Sequence, residues 1–446
     1  MNRLIYRILR FNHYLRQWIF TQFTPSGLGL LCAAFAAGLI GIDIKRSVSY
    51  QIFAFFVALL LVSICLLPFV RYRLSISRTL PRFGTVGVPL TYRIHIHNPT
   101  RKRLAGLKLF ERFSNAFPTF EEFQQVFKGK REFQRRAWFA LLARKQWAFA
   151  PAQDLSILMA KGNTDVTCEV MPLRRGVLHF QKMVIACPES LGFVNRQLRL
   201  SLPQSVLVLP KRYQLPNVEL PGTQHPYTSG LALSTTKGSS EEFRSLREYR
   251  PGDSPRKIHW KSWAKTGRPI IKEEQDNHSV RHALILDTFQ PEDYSEALEE
   301  GVAIAASFAY TIQTQQSLLD LVIVGPQAHT FSASSNAGVS LTHTERLLEL
   351  LASVQPCQDK PFDALLPTVQ QNMANMGGCI CIFLNWDGDR KTLVEQLQMS
   401  GIPVWVLVIK GEKGLREEID RSCLRTQQSR IEVLNINNIQ EALLKL

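Results

Sequence analysis

Three groups of side chains in this 446-residue chain have types and spacing that chemistry could use. Asp287 and Asp387 each close an apolar run, ALIL in the first case and CICIFLNW in the second. Carboxylates at two strand ends can share a divalent cation. His95 and His97 lie two apart, so they share one face of a strand at metal-ligand spacing. Asp253, Ser254 and His259 supply the residue types of a nucleophilic triad. The surroundings complete none of these. No third ligand stands near His95 and His97, which predicts an exposed strand face. Ser254 has no Gly-x-Ser-x-Gly elbow around it. No phosphate-binding Gly-x-x-x-x-Gly-Lys-Ser/Thr loop and no His-Glu-x-x-His occurs anywhere. The eight cysteines form no C-x-x-C pair. Cys379 and Cys381 would share one strand face as buried thiols, a usage that suits a reducing compartment.

The densest chemistry lies from Glu241 to Glu274, EEFRSLREYRPGDSPRKIHWKSWAKTGRPIIKEE. Basic residues, among them Arg247, Arg250, Arg256, Lys261 and Lys272, are interleaved with Tyr249, Trp260 and Trp263. Pro251-Gly252-Asp253 suits a turn in which Asp253 bonds backbone amides or pairs with Arg256. Arg247 and Arg250 bracket Tyr249, where a guanidinium can stack. Ile258 and Trp260 alternate with His259, as in a short strand. Acidic residues nearly balance the segment, with Glu241, Glu242, Glu248, Asp253, Glu273, Glu274 and Asp276 all present. That balance weakens a phosphate-neutralising role, and no nucleic acid is expected as partner.

The elements that hold these residues follow from composition and periodicity. The net charge of +16 is uneven: +9 over residues 1–82, +11 over 83–210, +4 over 211–280 and −8 over 281–446. A basic front and an acidic rear point the front toward something anionic. No charged residue occurs from Gln17 to Ile42, nor from Ser47 to Val70. Thr24-Pro25-Ser26 is a helix start, followed by the small-residue run GLGLLCAAFAAGLIGI. The second run, QIFAFFVALLLVSICLLPFV, is long enough for a bilayer core of about 30 Å. Residues 1–82 are therefore expected to form a membrane hairpin, with spans at about 26–44 and 50–70. Arg3, Arg7, Arg10 and Arg16 precede it, and Arg71, Arg73, Arg78 and Arg82 follow. By the positive-inside rule both termini are cytoplasmic, in a multi-pass protein of the inner membrane.

Residues 83–213 alternate as short strands broken by Gly and Pro, and LTYRIHIHNP is the clearest of them. This predicts an antiparallel sandwich. A basic aromatic insert at about 120–150 interrupts it, carrying Phe123, Phe127, Phe133, Trp138, Phe139, Trp147 and Phe149. The insert is read either as an interfacial helix on anionic lipid or as a cover for the sandwich. Residues 214–279 form a linker with the motif, a junction between the β-rich and α/β parts. Residues 280–446 alternate strands and helices and predict a parallel sheet wrapped by helices on both faces.

The ordered run from Phe243 to Lys272 resembles the signature of the bacterial "domain of unknown function 58" family (DUF58). The matching positions are Arg247, Tyr249, Pro251, Gly252, Asp253, Arg256, Ile258, Trp260, Lys261, Ala264 and Lys272. The layout of two spans, a β-rich segment, the motif and an α/β tail similar to a von Willebrand factor A domain also resembles that family. Domains of that kind often hold a divalent cation at an Asp-x-Ser-x-Ser loop. Here the loop reads Asp287-Thr288-Phe289-Gln290-Pro291, and Phe289 and Pro291 replace both hydroxyls. Neither metal nor other cofactor is expected, with Asp287 and Asp387 the only weak candidates. The resemblance implies a non-enzymatic scaffold working with a MoxR-type AAA+ ATPase and a transglutaminase-like membrane protein. The motif residues Arg247, Tyr249, Gly252, Asp253, Arg256, Trp260, Lys261 and Lys272 would then be its docking surface. The alternatives are a membrane-tethered metal-dependent hydrolase at the α/β rim, and a binder of anionic polymer or lipid through the basic front.

Overall fold

A computed structural model describes residues 2–40, 47–69, 72–114, 117–127, 134–216, 241–250, 253–255, 258–276, 281–292, 294–314, 318–324, 328–331, 341–373, 376–411 and 429–445. The chain divides into two units, Met1–Leu209 and Pro210–Leu446.

The first unit opens with three helices, α1 (Asn2–Gln22), α2 (Pro25–Ile40) and α3 (Ser47–Leu66). Thr24 accepts the Gly27 amide at 3.0 Å, and Pro25 occupies the first helical position, where its missing N–H is no loss. α2 packs along α3, with Gly38 beneath the Phe53 ring. Among the described residues one helix, Val48–Phe69, is long and apolar enough to cross a membrane. α2 covers 16 residues, which at about 1.5 Å each falls short of a bilayer core.

Next come β1 (Ser75–Thr79), β2 (Phe83–Thr85), β3 (Leu90–His97), β4 (Lys108–Phe113), α4 (Phe120–Phe127), α5 (Gln134–Lys145), β5 (Ala148–Phe149), β6 (Gln153–Asp154), β7 (Asn163–Pro172), β8 (Gly176–Pro188) and β9 (Asn195–Leu209). They form two sheets, β1-β3-β7-β5 and β2-β9-β8-β4-β6, mostly antiparallel, with β2 parallel to β9. The sheets share one core. Tyr92, Ile94 and Ile96 of β3 point into it, as do Phe180, Met183 and Ile185 of β8. His95 and His97 lie on the outer face of β3, hydrogen bonded across the strands to Asp165 and Asn163 at 2.6 Å each. Period-two alternation alone places them there.

One residue departs from its expected place. Arg78 belongs to the basic cluster after the second apolar run, yet its side chain is fully buried. It pairs with Glu111 at 2.8 Å and donates to Gln204, with its guanidinium 4.4 Å from the Phe180 ring centre. It pins β1 to β4 across the two sheets rather than marking a membrane surface.

The insert divides by residue. Phe123 and Trp138 are buried, in ring contact with each other and with Tyr6 of α1. Phe139 and Phe149 are exposed, and Phe133 lies outside the described residues.

The second unit contains β10 (Glu241–Glu248), α6 (Trp260–Thr266), β11 (Ile270–Asp276), β12 (Arg281–Leu286), α7 (Glu296–Thr314), β13 (Leu318–Val324), β14 (Ala328–Phe331), α8 (Leu341–Ser353), α9 (Leu366–Asn372), β15 (Gly378–Phe383), α10 (Gly388–Met399), β16 (Val404–Lys410), β17 (Arg430–Asn435) and α11 (Ile439–Leu443). Six strands form one sheet in the order β14-β13-β12-β15-β16-β17. Five are parallel and the edge strand β14 is antiparallel. Helices cover both faces. Val394 and Leu397 of α10 and Val369 of α9 pack on Ile285, Cys381 and Val406. On the other face Gly301 of α7 fits closely among Leu286, Leu384 and Ile409. Strands buried on both sides explain the continuous apolar runs. Cys379 and Cys381 sit 3.6 Å apart and buried. Burial pushes the Cys381 thiol well above its ordinary range.

Candidate functional site

The strand order makes the chain leave β12 in one direction and β15 in the other. In sheets of this type that switch point, at the carboxyl ends of the strands, is where ligands bind. Asp287 and Asp387 both lie there, and the structure brings them together through a third residue. Arg390, in the first turn of α10, holds Asp287 through Nε and Nη2 at 2.8 and 2.7 Å. Its Nη1 pairs with Asp387, whose carboxylate also caps α10 by accepting the Arg390 amide at 3.3 Å. The guanidinium lies 4.6 Å from the Phe362 ring centre, and Phe362 packs edge-on against Phe289.

Asp287 is fully buried. It accepts the amides of Phe289 at 3.0 Å and Leu384 at 3.1 Å. Burial pushes its carboxyl above the usual carboxylate range, against the pull of Arg390 and those amides. Burial disfavours the Arg390 charge, but the two carboxylates outweigh it and raise its basicity. The position between the two carboxylates is therefore filled by a cation that the chain itself supplies. A ligand reaches Asp287 only if Arg390 moves. Among the described residues no three His, Cys, Asp or Glu side chains cluster as a metal would require.

The sequence signal for Arg390 was the run Asp387-Gly388-Asp389-Arg390. A cation in the first turn of a helix opposes the helix dipole and implies a carboxylate partner. Nothing local says that the partner lies 103 residues away.

The motif forms a compact bracket. β10 and β11 pair antiparallel, with Arg247 opposite Ile271 and Glu248 opposite Ile270. Arg247 donates twice to Asp253, at 2.7 Å to each oxygen. Asp253 also accepts the Arg250 amide at 2.8 Å, which closes the turn after β10. Arg247, then the amide, hold the Asp253 carboxyl down at about 2. Arg247 is thus a partner of Asp253 in this turn. Gly252 and Arg256 lie outside the described residues.

The expected strand through Trp260 stops at Ile258, which bridges to Ile271. The His259 carbonyl then accepts the amides of Ser262 and Trp263, so α6 starts at Trp260. His259 Nδ1 bonds Ser262 Oγ at 2.7 Å, a contact within one helical turn. The His259 partner is therefore Ser262, and Ser254 is an exposed residue of the preceding turn. Gly267, at φ +68°, ends α6 in the left-handed region and bonds back to Trp263.

One face of the bracket is open. Trp260 is 65% exposed and stacks on Trp263 at 5.2 Å and 19°. Tyr249, Lys261 and Lys265 are exposed as well, while Lys272 is half-buried on β11. Tyr249 is fixed by its amide, which donates to Pro269 at 2.9 Å. A stacked aromatic pair with one ring exposed is suited to docking, since large planar side chains bury area at low entropic cost.

Residues 245–371 match the family model "Protein of unknown function DUF58". A relative, "Uncharacterized protein YeaD" of Bacillus subtilis (strain 168), is 23% identical over 192 residues, covering 41% of this chain and 44% of that protein. The match thus spans less than half of the relative's length. Both findings support the DUF58 family. Among solved structures, a crystal structure of the CARDB domain of a Pyrococcus furiosus protein in complex with di-metal ions is 10% identical. It covers 31% of this chain and 90% of that one at a TM-score of 0.18. A solution structure of the same domain is 12% identical, covers 30% and 93%, and scores 0.17. Likeness at those scores carries nothing about this fold or its site.

Proposed function

We propose that this DUF58-family chain is a membrane-anchored adaptor without catalytic activity, and that the Trp260–Trp263 face of α6 is its docking surface. The observation that carries the reading is Arg390. With its guanidinium between Asp287 and Asp387, the rim where such sheets bind ligands is closed by the chain's own charge. The open, chemically distinctive surface is then the motif. A metal-dependent hydrolase at the rim would have to expel Arg390 and expose a fully buried Asp287 first.

The finer parts of the reading rest on further support. The order β14-β13-β12-β15-β16-β17, with an antiparallel edge strand and helices on both faces, favours a von Willebrand factor A-like domain. The packing of α2 on α3 favours a hairpin anchor, and the exposed arginines of α1 favour a cytoplasmic N-terminus. The partner we assign is an AAA+ ATPase of the MoxR type, with a transglutaminase-like membrane protein as second member. The test is co-purification of the full chain, extracted from native membranes in mild detergent, with and without ATP. Recovery of such an ATPase, changing with nucleotide, is the expected result; membranes that contain the ATPase but yield none with the chain contradict the reading.

A further inference from the structure

α1 carries two kinds of side chain that its place in the fold leaves unexplained. Leu4, Ile8, Phe11, Leu15 and Trp18 recur at spacings of four and three, the period of one helical face. They are 64, 56, 66, 38 and 51% exposed. The opposite side of the helix is the packed one. Tyr6 donates to the Pro118 carbonyl at 2.9 Å and meets Phe120, Phe123 and Trp138, and His13 meets Phe117. The exposed stripe therefore faces away from the sandwich.

Arg3, Arg7 and Arg10 run along one border of that stripe, a turn apart. With Tyr6, Tyr14 and Phe120 they line an open cleft of about 540 Å³. The guanidinium of Arg3 lies 5.4 Å from the Phe120 ring centre, and that of Arg10 lies 5.8 Å from the Tyr14 and Phe117 ring centres. Both cations thus lie over aromatic rings at the cleft. α1 contains four arginines and no acidic residue. Two residues after its end the apolar helix α2 begins.

We propose that α1 lies along the membrane surface, with its apolar stripe among the acyl chains, and that the cleft at Arg3, Arg7 and Arg10 holds the phosphate of an anionic phospholipid. Charge selects the occupant. Three guanidinium groups beside the Tyr14 hydroxyl match a phosphate with neighbouring glycerol oxygens. Continuity places it, because a helix joined by two residues to an apolar pair of helices enters at the bilayer interface. Trp18 and Tyr14, near the junction, have the amphipathic rings that favour that depth. A zwitterionic headgroup offers the same phosphate but brings a cation that the arginines repel.

The inference rests on the membrane reading, and its test separates the two. The full chain is purified in neutral detergent, and native mass spectrometry measures binding of phosphatidylglycerol, phosphatidylcholine of the same acyl composition, and inorganic phosphate. The wild type should favour phosphatidylglycerol by roughly tenfold or more, and the triple variant Arg3→Gln, Arg7→Gln, Arg10→Gln should lose that preference. Arg7→Gln alone, at an exposed side chain, should weaken it several-fold and serves if the triple variant does not fold. Equal affinity for the two lipids overturns the proposal, as does a preference that the variants leave intact. Inorganic phosphate bound as tightly as the lipid, or a dimer formed through α1 with no lipid preference, also overturns it. Alkaline extraction of native membranes tests the anchor separately: α2 and α3 should keep wild type and variant in the pellet, whereas release of the wild type refutes the membrane reading itself.

Discussion

Arg390 and Arg247 each hold an aspartate, and the consequences differ with burial. At the rim, the Arg390 guanidinium compensates a carboxylate with no access to solvent. Arg390→Met should lower stability by about 3–5 kcal/mol, because an uncompensated buried acid is left behind. Asp287→Leu should cost a similar amount. The double variant should cost clearly less than their sum, since it removes both charges together. Denaturant unfolding of the four proteins checks this, and additive losses would show that the pair is not a unit. If the rim were catalytic, Asp287→Leu would abolish activity even where the protein stays folded. In the motif, Asp253 is held at about 2, below the value near 4 of an unfolded chain. A depressed carboxylate stabilises above its unfolded value and loses that contribution as pH falls through its folded one. The Arg247–Asp253 contribution should thus be complete above about pH 4 and fade toward pH 2. Comparing the pH dependence of stability with Asp253→Asn checks it; the same slope in both proteins would refute the assignment.

At the level of elements, the start of α2 is fixed to the β8–β9 turn. A side chain at Gly27 would drive its Cβ into the Phe193 carbonyl oxygen. Phe23 bridges to Val194, and the Thr24 amide donates to Phe193 at 3.1 Å. Gly27→Ala must therefore push the helix start off the sandwich, at a cost of about 1–3 kcal/mol. A lowered unfolding midpoint of the detergent-solubilised chain is expected, and an unchanged one would contradict the contact. The sequence made some elements legible and hid others for physical reasons. Strands buried on both faces, such as ALIL and CICIF, cannot hide their apolar runs, and neither can a period of two like that of Tyr92, Ile94 and Ile96. α1 was hidden because its apolar stripe is threaded with arginines that also serve as a charge flank. The bracket's order was legible, but its partners were not. Asp253 reaches back to Arg247, and the helix at Trp260 depends on a carbonyl, not on a side-chain pattern.

For the whole molecule, the apolar helices are proposed as an anchor and the second unit as the surface it presents. The basic front and acidic rear would then have separate roles: arginines of the front would meet anionic lipid, and the rear carries the α/β sheet with its closed rim. A partner docking on the motif face is the central expectation. The most direct measurement is the amount of MoxR-type ATPase captured by the full chain from native membranes, compared with Trp260→Ala and with Asp387→Asn at the rim. Trp260 is 65% exposed, so its loss should leave the fold intact while capture falls by at least about tenfold, the loss expected of an aromatic anchor. The rim variant should capture as the wild type does. Unchanged capture with Trp260→Ala, or capture abolished by the rim variant alone, would contradict the account.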